Sequence, residues 1–483
     1  MTPPKPVRRP FVLACVMAAM FMIAIETTIV STAMPQIAGQ LGDLHLYAWV
    51  FAAFLLTQTA TTVLFGKLVD LFGRKPILLF GIAVFLAGTL LCGLSWSMPS
   101  LIAFRLIQGV GAGAIQPICL TVIGDLYTME ERAKIQGWLA SVWGVSSVAG
   151  PLAGGLIIQH LSWAWVFWIN IPIGAAAAFG FWRFLHERIT PQVRHIDSIG
   201  ASLFAIAIAA LMVAVTQLGT AETSLALIAG AVFAVAAALF VVQELRARDP
   251  MLAFGLWGRR RIATANAATL LSGMTLVGLT TFLPMYVQGV MERSPLVAGF
   301  ALTMMVLGWP VGATLAAKNF VRFGIRTTLL FGAALLPVGA MAFLLLTAET
   351  SPVIAGAGSI IVGLGMGFLS SSAIVMIQGS VGWAERGAAT ASNVFARNLG
   401  STLGATVLGG VLNMSLATGG AATSYDKIRT LLEHPEGLAG SESVRAALAH
   451  GLHLTFWGVF LTASLVLVFA LMVPPPVPQP AAE

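Results

Sequence analysis

Long apolar runs separated by short polar segments dominate the pattern of this chain. They fall at about 11–34, 48–69, 76–96, 100–124, 136–159, 165–185, 198–219, 224–245, 263–289, 296–318, 327–347, 353–378, 389–413 and 453–473. Each is close to the roughly 20 residues a helix needs to cross a bilayer. The pattern predicts an all-α polytopic membrane protein with fourteen transmembrane helices, and an even number puts both termini on one side. The polar interval at about 415–452 is longer than the rest. Within it Val444, Ala447, Leu448 and Leu452 recur at helical spacing behind a capping Ser441, and Ile428, Leu431 and Leu432 form a second stripe before His434-Pro435. These two stripes predict a short helical hairpin lying on the outer membrane surface.

Composition agrees with the pattern. Of the 483 residues 58% are hydrophobic and 9% charged, against about 25% charged in a soluble domain. Cys15, Cys92 and Cys119 all lie inside apolar runs, which points away from a disulfide framework and from a metal site. Lys5, Arg8 and Arg9 before an apolar stretch have the layout of a secretory signal. Glu26 and further spanning-length sequence follow without a small-residue cleavage site, so an uncleaved first helix is expected.

Charge then orients the chain. Segments on the side of the N-terminus carry Lys5, Arg8, Arg9, Lys67, Arg74, Lys75, Arg132, Lys134, Arg183, Arg188 and Arg194. They continue with Arg246, Arg248, Arg259, Arg260, Arg261, Lys318, Arg322, Arg326 and Arg386. The opposite side has Arg293, Lys427, Arg429 and Arg445. Twenty basic residues against four predict cytoplasmic termini, because Lys and Arg accumulate in cytoplasmic loops. The same bias accounts for the net charge of +7 without a nucleic-acid partner.

An internal repeat divides the sequence. Lys67, Phe72, Gly73 and Lys75 recur as Lys318, Phe323, Gly324 and Arg326. Glu131-Arg132 and Gly150 recur as Glu385-Arg386 and Gly404. The expected organisation is a six-helix half at 1–190, two inserted helices with a cytoplasmic linker at 191–262, and a second six-helix half at 263–473. That second half includes the outer loop 415–452, and 474–483 form a Pro-rich cytoplasmic tail. The copies differ in their polar residues: Asp70 becomes Val321, Pro151 becomes Ala405, and Glu26 has no acidic counterpart near Val277.

Among the acids, Glu26 falls deep within a predicted span. A charge at mid-membrane costs on the order of 3 kcal/mol on insertion scales, so it marks a functional candidate. Burial favours a neutral carboxyl and a neighbouring cation the charged one, and a group balanced between them can load and release a proton. The alternative is a glutamate hydrogen-bonded to Thr27 or Thr28. Arg105, early in the fourth span, can reach into the bundle and either pair with an acid or orient water; the alternative is snorkelling to the headgroups or binding free backbone carbonyls. Gly109 and Gly113 lie in an apolar run with no preceding strand, so they read as helix-packing positions rather than a phosphate loop. Gly144, Gly150, Pro151, Gly154 and Gly155 put a kink or sliding surface on the fifth span. Thr27, Met274, Phe282, Met285, Tyr286 and Gln288 are candidate cavity walls, with core packing the alternative. His450 and His453 lack a third metal ligand. No P-loop, G-x-S-x-G or H-E-x-x-H occurs, so no enzyme is expected, and active transport would draw on an ion gradient with no cofactor.

Several of these stretches resemble one family. Residues 66–76, Gly-Lys-Leu-Val-Asp-Leu-Phe-Gly-Arg-Lys-Pro, are similar to the signature between helices 2 and 3 of the major facilitator superfamily. Residues 26–35 resemble the first-helix motif of its fourteen-helix drug:proton antiporters, with Glu26 where Asp is more usual. Arg105-Leu-Ile-Gln-Gly resembles the family's fourth-helix arginine motif, and the glycine–proline run of the fifth span its antiporter motif. The resemblance implies a major facilitator fold and rocker-switch exchange. It implies Glu26 as the protonation site, Arg105 as a relay or tuning residue, and the fifth span as a seal between halves. It also implies that Gly66, Asp70, Gly73, Arg74 and Lys75, with Asp125, form a breakable latch at the cytoplasmic face. The expected function is proton-coupled export of hydrophobic small molecules or drugs, cationic ones included, by a monomer in the lipid bilayer of a bacterial inner membrane. A dedicated exporter of one metabolite, lipid or siderophore is the alternative. A proton-driven importer and a transporter-like sensor or channel agree less well with these motifs.

Overall fold

The computed structural model describes residues 9–127, 129–187, 198–217, 223–247, 254–381, 386–418 and 441–475. The apolar runs become helices because a backbone in lipid must satisfy its own hydrogen bonds. The first bundle contains α1 (Arg9–Leu41), α2 (Tyr47–Phe72), α3 (Arg74–Gly93), α4 (Met98–Leu126), α5 (Met129–His160), α6 (Trp165–Trp168) and α7 (Asn170–Phe184). Next come α8 (Ser198–Gln217), α9 (Thr223–Arg246) and the short α10 (Phe254–Trp257). The second bundle contains α11 (Arg260–Gly289), α12 (Pro295–Phe323), α13 (Ile325–Leu344), α14 (Pro352–Gln378), α15 (Arg386–Thr418) and α16 (Ser441–Leu471). Twelve segments among the described residues are long and apolar enough to cross a membrane. Helices α2 and α8, of 26 and 20 residues, are additional to these twelve.

The packing repeats between the bundles. Helix α4 lies against α2 and α3 as α14 lies against α12 and α13. Likewise α1 packs on α5 and α7 as α11 packs on α15 and α16. Across the bundles α5 meets α12 and α2 meets α15, while α8 and α9 pair with each other and α8 touches α2 and α15. The repeated glycines have a shared geometric reason. Gly73 and Gly324 join α2 to α3 and α12 to α13 with φ +89 and +80 and ψ 165 and 155. That region of backbone space is essentially restricted to glycine.

Glycines on α4 and α14 sit where helices approach closely. A Cβ on Gly109 or Gly113 would strike Thr57 and Thr61 of α2, and one on Gly363 or Gly367 would strike the α12 carbonyls of Met305 and Trp309. They are packing positions. The outer hairpin requires correction. Val444, Leu448 and Leu452 do form a buried helical stripe, but Ser441–Leu471 is one continuous helix, so this arm extends the last span. The other arm, Ile428–Leu432 in the sequence, lies outside the described residues.

Candidate functional site

Glu26 lies midway along α1 with no exposed surface. Its Oε1 accepts from Arg105 Nη1 of α4 at 2.5 Å, and its Oε2 accepts from Asn170 Nδ2 of α7 at 2.6 Å. Arg105 Nη1 also donates to Gln108 Oε1 at 2.7 Å, its Nε donates to the Val50 carbonyl at 3.2 Å, and its Cζ stands 4.2 Å from the Phe54 ring centroid. Gln108 Nε2 donates to Thr89 Oγ1 of α3 at 2.9 Å, and the Cys92 thiol lies 3.8 Å from Gln108 Oε1. Five helices thus converge on a buried acid–arginine pair. Of the two readings open for Arg105, the acid partner holds, and a carbonyl is bound as well. Thr27 and Thr28 do not hold Glu26; their hydroxyls donate to α1 carbonyls, and Thr28 also to Ser146 of α5.

Burial gives this pair its weight. Two opposite charges removed from water persist when their geometry is good and their remaining lone pairs and protons are bonded, and removing one partner strands the other. Here Arg105 meets an acid, an amide, a carbonyl and an aromatic face. The residues missed in the sequence are Asn170, Thr89, Phe54 and the Val50 carbonyl, which come from three other stretches. Gln108 stood within the arginine motif; its i+3 spacing from Arg105 puts both on one helix face.

Helix α5 forms part of the join between bundles. A Cβ on Gly150 would strike Thr28, one on Gly154 would press on Ile29, and Gly299 of α12 faces Pro151. Gly155 faces Leu296 of α12, whereas a Cβ on Gly144 would meet no atom within 4 Å. Hydrogen bonds join the bundles at the ends of α1 and α11 remote from Arg9. Tyr47 Oη donates to the Thr281 carbonyl at 3.0 Å, Gln288 Nε2 to the Thr32 carbonyl at 3.0 Å, and Asn413 Nδ2 to the His45 carbonyl at 2.7 Å.

Four of the candidate wall residues, Phe282, Met285, Tyr286 and Gln288, belong to that closed end. Phe282, Met285 and Tyr286 have at most 1% exposure, and Gln288 is buried. Tyr286 donates to the Leu346 carbonyl and meets the His453 ring edge-on. Met274 is half-buried against Gly404, and Thr27 is exposed on α1. These six are therefore not gathered around one open space. At the 66–76 turn, Glu187 from the end of α7 accepts from the backbone N–H of Arg74 at 2.8 Å and of Lys75 at 2.7 Å, capping α3. Lys75 Nζ donates to the Trp182 carbonyl at 2.7 Å. The side chains of Gly66's neighbours Lys67 and Asp70, and that of Asp125, lie outside the described residues.

Two helical bundles that repeat one packing pattern in membrane-length helices, the first of them holding a buried acid–arginine pair, are the architecture of a membrane transporter. The profile of the Major Facilitator Superfamily matches residues 16–405, and the chain belongs to that family. It is 36% identical over 404 residues to multidrug resistance protein 3 of Bacillus subtilis (strain 168), covering 83% of this chain and 79% of that one. It is 33% identical over 412 residues to the multidrug transporter protein MdtP of the same organism, covering 85% and 76%. In structure it resembles a bacterial homolog of the human lysosomal transporter Spinster, with a TM-score of 0.67 at 16% identity over 98% of both chains. The protein is a transporter and not an enzyme.

Proposed function

We propose that this protein is a proton-coupled antiporter that exports hydrophobic small molecules, cationic ones included, across a bacterial cytoplasmic membrane by alternating access. The observation that carries the reading is Glu26: a carboxyl with no exposed surface, midway along a membrane-length helix, held by Arg105 and Asn170. Such a group can exchange a proton only when the bundles admit water to it, which ties protonation to conformation. The relatives named as multidrug transporters support the substrate class. In this reading α2 and α8 complete fourteen spans, and the lysine and arginine bias places both termini in the cytoplasm. The rocking units are 1–190 and 263–473, joined through 191–262. The bonds joining the bundles at the end remote from Arg9 then hold the outer side shut, and Asp70 and Asp125 would act when the inner side closes.

The test is purified protein in liposomes with an imposed pH gradient. Wild type is expected to move a lipophilic cationic dye with the gradient, and Glu26→Gln to lose gradient-driven movement while still binding dye. Full gradient-driven transport by Glu26→Gln refutes the proton role. Transport of one metabolite but no lipophilic cation would establish a dedicated exporter instead.

A further inference from the structure

Asn170 begins α7, directly after the break between α6 and α7, and its side chain is fully buried. Its Nδ2 donates to Glu26 Oε2, while its Oδ1 is buried with no hydrogen-bond partner. Among the described residues, the charged and titratable groups around Glu26 are Arg105 of α4 and, through Gln108, the Cys92 thiol of α3; α5 packs on the next turn of α1, at Thr28, through Ser146 and Gly150, which carry no charge.

This arrangement suits a charged Glu26, since both carboxylate oxygens accept. A protonated Glu26 needs something different, because its new O–H must find an acceptor. Arg105 offers only donors. Gln108 Oε1 already accepts from Arg105 and from the Cys92 thiol, which take its two lone pairs. The free acceptor, Asn170 Oδ1, belongs to the amide that already touches Oε2. An amide carries its donor and acceptor on opposite edges of one plane, so a half-turn about Cβ–Cγ exchanges them.

We propose that Asn170 is a positioning residue that keeps Glu26 hydrogen-bonded in both protonation states, donating to the carboxylate and accepting from the carboxylic acid. The inference rests on Glu26 being the proton carrier. The step balances: a hydronium ion gives its proton to Oε2 and leaves as water, the Nδ2–H···Oε2 hydrogen bond breaks, and Oε2–H···Oδ1 forms after the amide turns. Arg105 keeps its bond to Oε1. The buried site loses no hydrogen bond when its charge changes, so neither protonation state is penalised by an orphaned carboxyl.

Infrared difference spectra of the full-length protein in lipid, titrated with pH, test this through the carboxylic C=O stretch. Glu26→Gln identifies the Glu26 band by its loss. Asn170→Leu removes donor and acceptor together; it is expected to raise the frequency of that band and to move its titration midpoint by about one pH unit, as suits a lost hydrogen bond to a charge. Asn170→Ser, which retains a hydroxyl donor and acceptor, is expected to move both less, and it carries the test if Asn170→Leu does not fold. An unchanged band and midpoint in a folded Asn170 variant, with the Glu26 band present, overturns this inference alone. A spectrum that Glu26→Gln leaves unaltered overturns the proton-carrier reading and this inference with it.

Discussion

At the scale of the residue, the acid–arginine pair is the most consequential contact. Arg105 spends its guanidinium on several jobs at once: Glu26, Gln108, the Val50 carbonyl and the face of Phe54. Lysine keeps the charge but cannot serve a fork and a ring together. Arg105→Lys is therefore expected to fold at near wild-type yield and to lose most gradient-driven efflux. Arg105→Leu strands the Glu26 carboxylate, which costs on the order of 3–5 kcal/mol when a buried pair is broken. The double variant Glu26→Leu with Arg105→Leu is expected to regain most of that stability in thermal unfolding while remaining inactive. If the double variant melts no higher than Arg105→Leu alone, the two residues do not act as a pair.

At the scale of the element, the turns at Gly73 and Gly324 are the clearest case of sequence obeying geometry. Both glycines hold a backbone conformation that a Cβ makes costly, of order 1–3 kcal/mol. Gly73→Ala and Gly324→Ala are each expected to lower the unfolding temperature, and by similar amounts, because the two turns share their dihedrals. Unchanged melting in both would remove the backbone argument for the repeated glycine. Glu187 adds a contact at the first turn, with its carboxylate on the first two N–H groups of α3, where a helix favours negative charge. Helix α5 shows the same logic in packing: Gly150 and Gly154 let α1 come close beside Thr28 and Ile29.

At the scale of the whole molecule, the two bundles meet through small residues and a few hydrogen bonds at the end remote from Arg9. Ala48 of α2 and Gly409 of α15 approach there closely enough for a Cβ on Gly409 to touch Ala48. A disulfide sets Cβ atoms about 3.8 Å apart, more than this contact leaves, so Ala48→Cys with Gly409→Cys is expected to form one once the two helices part slightly. Oxidation of this double variant is expected to stop transport, and a reductant to restore it; the native Cys15, Cys92 and Cys119 are buried and expected to stay unreactive. Transport at the full rate in the crosslinked protein would show that this contact does not open during turnover.

Much of this architecture is legible in the chain because lipid imposes a strong local rule: a spanning segment must be long, apolar and helical. Hydropathy, the Gly73 and Gly324 repeat and the isolated Glu26 are all local signals of that kind. The arm at Ser441 shows where a local signal stops: periodicity identified the helix, but only packing decided that it continues to Leu471. Phe282 and Gln288 show the same limit, since spacing along a helix does not tell that they contact Tyr47 and Thr32 of the other bundle. Asn170 and Glu187 carried no readable pattern at all. Their roles arise from hydrogen bonds spanning 144 and 113 residues of sequence, and such distances are closed only by the folded bundle.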